Sequence, residues 1–340
     1  MILASLLNSY PRIGDRPAEQ VLRRAIARAD QGEAPETAVR EAEDELTRQA
    51  IAEQIAAGLD LLTDGQVRWH DPVSHLTRGL AGFKTGGLLR YFDTNTYYRQ
   101  PEVVGPIGRE RPILVDAYRF ALGQADGRPV KALLTGPLTI ARLSREATSP
   151  PRGLRALALE VAAAFNREVL DLEAAGAPLI QIDEPALARH PGDLPILREA
   201  LPRLLAGLTK ARAILATSFG DAVPLFRDLA GLPVALVGFD LLAVQADLGG
   251  LARALPADKG LLLGVVDGRN TRMEDPATTF ERVLRPFLGH SAAMRGAAGP
   301  EGREIHLAPN HGLEFLPRAA AKAKMGVLAA LRDHARRALA

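Results

Sequence analysis

Short apolar runs alternate with longer amphipathic segments from one end of the chain to the other. Eight runs are rich in Val, Leu and Ile and end in a polar or charged residue: ILASLLNS (2–9), LDLLTDG (59–65), VKALLTG (130–136), PLIQIDE (178–184), RAILATS (212–218), VALVGFD (234–240), GLLLGVVD (260–267) and REIHLAPN (303–310). Nearly continuous apolar runs are typical of parallel strands buried on both faces. Eight βα units therefore predict an α/β fold, a single (β/α)8 TIM barrel over residues 1–340.

The segments between these runs have helical periodicity. In GLRALALEVAAAFNREVLDLEAAG (153–176) the apolar residues recur at spacings of three and four, and Gly176 is suited to end a helix. Pro35 is predicted to divide residues 15–58 into two helices. Pro317 precedes the last helix, because proline is tolerated at the start of a helix.

The segment 66–129, between the second and third predicted strands, is far longer than a simple βα connection. It contains GGLLRYFDTNTYYRQPEVVGPI (86–107), a stretch of two extended runs that predict a hairpin and that include three of the five tyrosines. We expect 66–129 to be an inserted excursion over the C-terminal rim, acting as a lid or binding wall, with ordered packing as the alternative. The segment 291–302 is predicted to be a surface loop without an evident role.

Charge and composition exclude several classes of protein. The 42 Lys and Arg residues nearly balance 40 Asp and Glu residues and do not cluster, which argues against nucleic-acid binding. No apolar stretch approaches the roughly 18 residues of a membrane span, and the N-terminus lacks a basic region followed by an apolar core. We therefore expect a cytoplasmic protein without a membrane partner. Because the chain has no cysteine, thiolate nucleophiles, thiolate metal ligands and disulfides are excluded.

Polar residues follow the predicted strands, and in a closed barrel they converge on one rim, where barrel enzymes have their active sites. They are Asn8, Ser9, Asp64, Thr135, Asp183, Glu184, Thr217, Ser218, Asp240, Asp267, Asn310 and His311. Some of them could instead be helix N-caps. His70, in WHDP just past the second strand, is expected near the rim, and a buried or stacked histidine is the alternative there.

The strand-end motifs resemble those of the cobalamin-independent methionine synthase family over nearly the whole chain. The motifs are NSYPRIG (8–14), LLTDGQVRWHDPV (61–73), LLTGPLT (133–139), QIDEPAL (181–187), TSFGD (217–221), GVVDGRN (264–270) and APNHGLEFLPR (308–318). Full-length members carry two barrels, of which the C-terminal one holds a zinc ion that activates the homocysteine thiol. TSFGD and VVDGRN resemble the metal-free N-terminal barrel, whereas GLEFLPR resembles the catalytic barrel and short single-barrel relatives.

The resemblance also implies a methyl donor and a metal. The donor would be a folate or, as in the short relatives, a corrinoid, which makes a corrinoid protein a candidate partner. The family's four zinc ligands correspond to Ala216, Ser218, Asp240 and His311, so both thiolates and the first histidine are replaced. His311 and Asp240 could still ligate a metal. A neutral Ser218 hydroxyl is a poor third ligand, and the pattern favours a lost zinc site over a converted one.

The amino-acid pocket of the family is half retained. An acid that helps to hold the homocysteine ammonium corresponds to Gln66, which pairs with a cation less strongly. Side chains that remain available to bind an amino-acid substrate are predicted to be Ser9, Gln66, Tyr98, Asp183, Glu184 and Ser218.

Three functions are compatible with these residues. The first is a methyltransferase acting on homocysteine or a related thiol. A thiol of pKa about 8.5 must be ionised to attack a methyl group, and without zinc a base would do this, His70 or His311, with Asp240 as a third candidate catalytic residue. The second is a zinc-free member with different chemistry, such as a lyase or transfer to a non-thiol acceptor. The third is a non-catalytic barrel that binds a pterin or a corrinoid protein.

Overall fold

Ten strands in two sheets organise the part of the chain that the computed structural model describes, residues 1–14, 16–244, 256, 258–288 and 303–339. The strands are β1 Ile2–Ala4, β2 Leu80–Arg90, β3 Tyr97–Arg109, β4 Ala132–Thr135, β5 Arg145–Glu146, β6 Leu179–Asp183, β7 Arg212–Ala216, β8 Leu236–Asp240, β9 Gly260–Val266 and β10 Ile305–Pro309. Seven of them form one curled parallel sheet in the order β1-β10-β9-β8-β7-β6-β4. The second sheet has the order β2-β3-β5.

The second predicted strand, 59–65, is the shortest element of the barrel. Only Leu61 and Leu62 take part, through parallel bridges to Ser5 and Val130 that connect β1 to β4. The Asp60 carboxylate accepts a hydrogen bond of 2.8 Å from the backbone N–H of Ala4, so a side chain satisfies a donor that a longer strand would pair. When the two bridges of Leu61 and Leu62 are counted, all eight predicted runs contribute to the barrel. The TIM-barrel prediction is confirmed.

Helices surround the sheet. They are Val21–Asp30, Glu36–Ala56, Ser74–Thr77, Val115–Gly123, Pro137–Leu143, Leu154–Ala174, Pro185–Arg189, Leu194–Leu204, Phe226–Ala230, Pro276–Thr279, Arg285–Leu288 and Arg318–Leu339. Pro35 is the N-cap of the second helix, and Gly176 follows the end of the sixth with a φ of 95°. The last helix begins directly after Pro317. No helix in the described ranges is long and apolar enough to cross a membrane.

The excursion contains the predicted hairpin, with longer strands than expected. Strands β2 and β3 pair antiparallel, and β5 adds to β3 in parallel. At the hairpin tip, Asp93 forms ion pairs of 3.1 Å with Arg189 and with Arg269. Because these arginines follow β6 and β9, the tip lies over the C-terminal ends of the barrel strands. The predicted loop 291–302 lies outside the described residues.

A layer of apolar side chains fills the barrel interior, as in other closed parallel barrels. It comprises Leu7, Leu61, Leu179, Ile214, Ala216, Leu236, Leu262 and Ala308. Lys131 is also buried in the interior, where its ammonium donates a hydrogen bond of 2.6 Å to Gln181 Oε1. A second and larger apolar cluster lies between the strands and the helices.

Candidate active site at the C-terminal rim

The polar strand-end residues lie in two regions of the rim. The first, which we call the polar pocket, is a cavity of about 80 Å³ between the turn after β1, the segment after the Leu61–Leu62 bridge and the hairpin. Its lining residues are Ser9, Tyr10, Arg12, Gln66, Trp69, His70, Asp71, Pro72, Tyr91, Thr96, Tyr97 and Glu314. Three predicted site residues, Ser9, Gln66 and His70, are therefore brought together here.

Ser9 and Gln66 contact each other directly. The Ser9 hydroxyl donates a hydrogen bond to Gln66 Oε1. Gln66 has a φ of 50° and follows Gly65, whose φ is 68°, so the chain turns sharply after the second strand. The Asp64 carboxylate stabilises this turn by accepting a hydrogen bond of 2.9 Å from the backbone N–H of Gln66. This turn explains how a residue just past the second strand comes to face the end of β1.

Asp183, at the end of β6, is held by two amide side chains. Gln181 Nε2 donates to Asp183 Oδ1 at 2.6 Å, and Asn8 Nδ2 donates to Asp183 Oδ2 at 3.4 Å. Burial raises the pKa of Asp183, while hydrogen bonds and the charge of the buried Lys131 act in the opposite direction. Lys131 is buried as well, and its burial lowers the pKa of its ammonium group. Lys131 reaches Asp183 through Gln181, so a polar chain runs from the barrel interior to the rim.

Glu314 is a further acid of the polar pocket that sequence reasoning did not single out. Its Oε2 atom is buried and has no hydrogen-bond partner among the described residues. Burial, and to a lesser extent the neighbouring charge of Asp183, raises the pKa of Glu314 to about 8. The carboxyl is therefore largely protonated at neutral pH until a cation binds beside it. The only signal in the sequence was its place in the motif GLEFLPR.

Glu184 and Tyr98 do not line the polar pocket. Glu184 accepts hydrogen bonds from the backbone N–H groups of Leu138 and Thr139, at 2.9 and 2.7 Å, and from the Thr139 hydroxyl at 2.6 Å. Its carboxylate thus caps the helix Pro137–Leu143, although burial raises its pKa to about 7. The Tyr98 hydroxyl donates to the carbonyl of Leu143 at 3.1 Å. Substrate binding by these two residues stays a prediction that this geometry does not favour.

The second region, which we call the His311 cluster, comprises His311, Asp240, Phe219 and Ser218. His311 Nδ1 lies 4.0 Å from Asp240 Oδ2, too far for a hydrogen bond. Both ring nitrogens of His311 are buried and have no hydrogen-bond partner among the described residues. The ring of Phe219 packs edge-on against His311 with centroids 4.5 Å apart. Burial lowers the pKa of His311 to about 4 and raises that of Asp240 to about 6. At neutral pH the cluster accordingly pairs a neutral imidazole with a carboxylate.

The donor set of the His311 cluster does not fit a catalytic zinc ion, which takes three protein ligands. Asp240 already accepts hydrogen bonds from the backbone N–H groups of Leu242 and Ala243 and from the Asn310 amide. Ser218, the residue before Phe219, offers only a neutral hydroxyl. Within the described ranges, no three His, Asp or Glu side chains are grouped so that they could hold a metal ion.

Aromatic side chains from the hairpin cover both regions. Phe92 stacks on Phe219 with centroids 5.0 Å apart, and Tyr91 meets Phe219 edge-on at 5.6 Å. The Arg269 guanidinium lies 5.8 Å from the Phe219 ring centroid. These contacts exclude water from the space between the hairpin and the strand ends, which accounts for the strong burial of His311 and Tyr91.

Known proteins place this barrel in a family. Residues 70–286 match the cobalamin-independent synthase, N-terminal domain, family. The chain is 30% identical over 316 residues to the methionine synthase of Sulfurisphaera tokodaii, covering 92% of this chain and 88% of that protein. It is 30% identical over 319 residues to the methionine synthase of Saccharolobus solfataricus, with 92% and 90% covered.

A solved structure shares the architecture over almost the full length. It is that of a B12-independent methionine synthase from Shewanella sp. W3-18-1 in complex with selenomethionine, with a TM-score of 0.81, 20% sequence identity and coverage of 99% of this chain and 98% of that chain. At that identity the likeness concerns the fold. The sequence matches carry the assignment further: the chain belongs to the cobalamin-independent methionine synthase family and is a methionine-synthase-like methyltransferase.

Proposed function

We propose that this protein transfers a methyl group to the sulfur of homocysteine or a closely related amino-acid thiol at the C-terminal rim. The observation that carries the proposal is the polar pocket itself. It combines an uncommitted carboxyl oxygen of Glu314 with the Ser9 hydroxyl and the Gln66 amide, in a barrel whose relatives are methionine synthases. Such a pocket offers partners to the backbone groups of an amino acid.

The substrate ammonium is assigned to the space between Glu314 and Asp183. Asp183 raises the pKa of Glu314, so the two carboxyl groups are electrostatic neighbours. An ammonium bound between them would favour the ionised form of both, because an opposite charge at close range lowers a carboxyl pKa. These two acids would thereby compensate for the Gln66 that stands in place of the family's acid.

The thiol is assigned to the His311 cluster. His311 is neutral at pH 7, so one of its unpartnered nitrogens can accept the thiol proton. The Asp240 carboxylate, 4.0 Å away, would stabilise the imidazolium that forms. The thiolate would then attack the methyl carbon of the donor, forming the S–CH3 bond as the bond from methyl to nitrogen or cobalt breaks. The electron pair would stay on the donor: a folate nitrogen would take up the proton held by the imidazolium, whereas with a corrinoid that proton would pass to solvent.

General-base catalysis of this kind contributes about 10²- to 10⁴-fold in rate. That is a modest acceleration for an N-methyl donor, which is intrinsically unreactive. A methylcorrinoid is a more reactive donor, and we therefore favour it, delivered by a partner protein that binds at the rim. His70, which lines the polar pocket, is the alternative base.

The incomplete metal donor set favours a second candidate, a barrel that binds its ligand without turnover. The two are separated by a methyl-transfer assay with isotopically labelled homocysteine, supplied in turn with a methylated folate and with methylcobalamin. Formation of labelled methionine with either donor supports the first proposal. Homocysteine binding by calorimetry without any product would support the second, and the absence of both would overturn each.

A further inference from the structure

Arg12 lines the polar pocket as a half-buried cation with two unpartnered guanidinium nitrogens. Its Nε and Nη2 atoms are inaccessible to solvent and make no hydrogen bond to any described residue. Burial lowers the pKa of the guanidinium, and the opposing attraction comes from the Glu43 carboxylate, which is not in hydrogen-bond contact. Removing a charged group from water without a partner is costly, so an arginine in this state calls for an anion from outside the chain.

Two other arginines that are buried among the described residues have carboxylate partners. Arg109 forms ion pairs of 2.5 Å with Glu168 and 2.6 Å with Asp171. Arg318 forms one of 2.9 Å with Glu53. The fold thus supplies carboxylates to Arg109 and Arg318, and Arg12 differs from these two residues.

Asp71, one of the two acids that line the pocket, is committed to other donors. Asp71 accepts hydrogen bonds from the backbone N–H groups of Val73 at 2.8 Å, Ser74 at 2.5 Å and Arg99 at 3.3 Å, and from the Ser74 hydroxyl. These four donors hold it at the start of the helix Ser74–Thr77. Asp71 is thus a fixed part of the pocket wall and is not the counter-ion of Arg12.

A second unpartnered donor lines the same cavity. Trp69 Nε1 is buried without an acceptor, while the indole ring stacks on His75 with centroids 5.0 Å apart. The stacked ring fixes the direction of the N–H group. Two guanidinium nitrogens and an indole N–H, without acceptors among the described residues, are a donor set for a planar anion such as a carboxylate. Arginine binds a carboxylate through two parallel hydrogen bonds.

We propose that Arg12, with Trp69, binds the carboxylate of the amino-acid substrate. This inference rests on the proposed function for the identity of that substrate. With Glu314 on the same lining, the polar pocket then offers a cation to the carboxylate and a carboxyl to the ammonium. Its preferred ligands are zwitterionic α-amino acids, and amines that lack the carboxylate bind weakly.

The test compares ligands with and without the carboxylate on matched variants. Calorimetry measures the Kd of homocysteine and of 3-aminopropane-1-thiol for the wild type, Arg12→Gln, Arg12→Lys and Arg78→Gln. Arg78 is exposed, does not line the pocket and serves as the control for loss of a nearby positive charge. We expect Arg12→Gln to weaken homocysteine binding by about 10- to 100-fold, as for loss of charged hydrogen bonds, and to leave 3-aminopropane-1-thiol within about two-fold. The Kd of homocysteine for Arg12→Lys should lie between those of the wild type and Arg12→Gln.

Equal effects of Arg12→Gln on both ligands would assign Arg12 a structural role and overturn the proposal, as would no effect on either. Norleucine and pentylamine repeat the comparison without a thiol. If the wild type fails to methylate homocysteine but prefers norleucine over pentylamine in an Arg12-dependent way, the proposed function fails and the carboxylate site stands. If the wild type shows no preference within either pair of ligands, the carboxylate site is refuted whatever the activity.

Discussion

The two regions of the rim differ in how their polar groups are satisfied. The polar pocket has free volume and side-chain atoms that lack a hydrogen-bond partner among the described residues, at Arg12, Trp69 and Glu314. The His311 cluster holds one imidazole packed against an aromatic ring, beside a carboxylate that backbone groups already hold. Under the proposed function, the first region binds the charged groups of the substrate. The second region holds a neutral imidazole that acts as the base.

The largest expected effect concerns this division of roles. His311→Gln should lower kcat for methyl transfer by about 10²- to 10⁴-fold, because glutamine keeps the volume and removes the base. The Kd of homocysteine should change much less, since the ligand's charged groups bind in the polar pocket. Steady-state kinetics and calorimetry measure the two quantities.

Two further histidines sharpen this test. His70→Gln should cause a smaller loss of kcat than His311→Gln. His334→Gln, on the C-terminal helix against Phe280, should leave activity unchanged. A larger loss for the His70 variant would transfer the role of base to the polar pocket and remove the division between the regions.

The next effect concerns the buried acid of the polar pocket. Glu314→Gln removes a carboxyl whose folded-state pKa is raised to about 8 by burial. Such a group contributes stability below its unfolded pKa of about 4.3 and loses it as pH rises through the folded value. The free energy of unfolding of the wild type should therefore fall relative to the variant between about pH 5 and pH 8, by about 3 to 4 kcal/mol.

Denaturant unfolding across this pH range measures the difference. Glu304→Gln is the opposite control, because the pKa of Glu304 is lowered to about 2, first by its hydrogen bond with His306. That variant should lose stability relative to the wild type as pH rises through the acid range. If the free energy of unfolding varied with pH in parallel for the wild type and Glu314→Gln, Glu314 would not be desolvated as described.

A smaller effect is expected at the hairpin tip, which covers both regions. Asp93→Asn removes the two ion pairs to Arg189 and Arg269, and exposed pairs contribute about 0.2–1 kcal/mol each. KM for the thiol should rise by about 2- to 5-fold, and the difference should shrink at high salt. Asp228→Asn, which breaks an exposed pair with Arg198 on the outer helices, is the matched control. An unchanged KM at low salt would mean that these contacts do not hold the hairpin over the site.

The smallest effect is expected from chelators. Because the His311 cluster lacks three suitable ligands, treatment with EDTA or 1,10-phenanthroline should change activity by less than about two-fold. Elemental analysis of the purified protein accompanies the assay. Stoichiometric zinc whose removal abolishes activity, and whose binding is lost in His311→Ala, would contradict the description of this cluster as a metal-free base.

Much of the fold was predictable because strands and helices leave local periodic signals. Seven of the eight apolar runs contain a strand of three to seven residues, from Ile2–Ala4 to Ile305–Pro309. Pro35 and Gly176 marked helix boundaries for equally local reasons. The exception, 59–65, shrinks to a two-residue bridge because a hydrogen bond from Ala4 to the Asp60 side chain replaces ladder pairing. Side-chain competition of that kind leaves no periodic signal.

The site was predictable in its location and less so in its members. Asp183 and Glu184 are adjacent, of the same type and equally prominent in the motif QIDEPAL. Asp183 is held by amide side chains at the rim, whereas Glu184 caps a helix with both of its carboxylate oxygens. Successive side chains of a strand point in opposite directions, and what each then meets depends on segments far away in the chain.

By itself, the sequence determined the eight alternating βα units, the rim as the place of the polar residues and the absence of cysteine. These follow from periodicity and residue identity, which are local properties. Only the tertiary structure decided which polar groups are satisfied and which are not. Arg12 and Glu314 gained their significance because elements far apart in the chain bury them together without supplying partners, and burial is a property of the packed molecule.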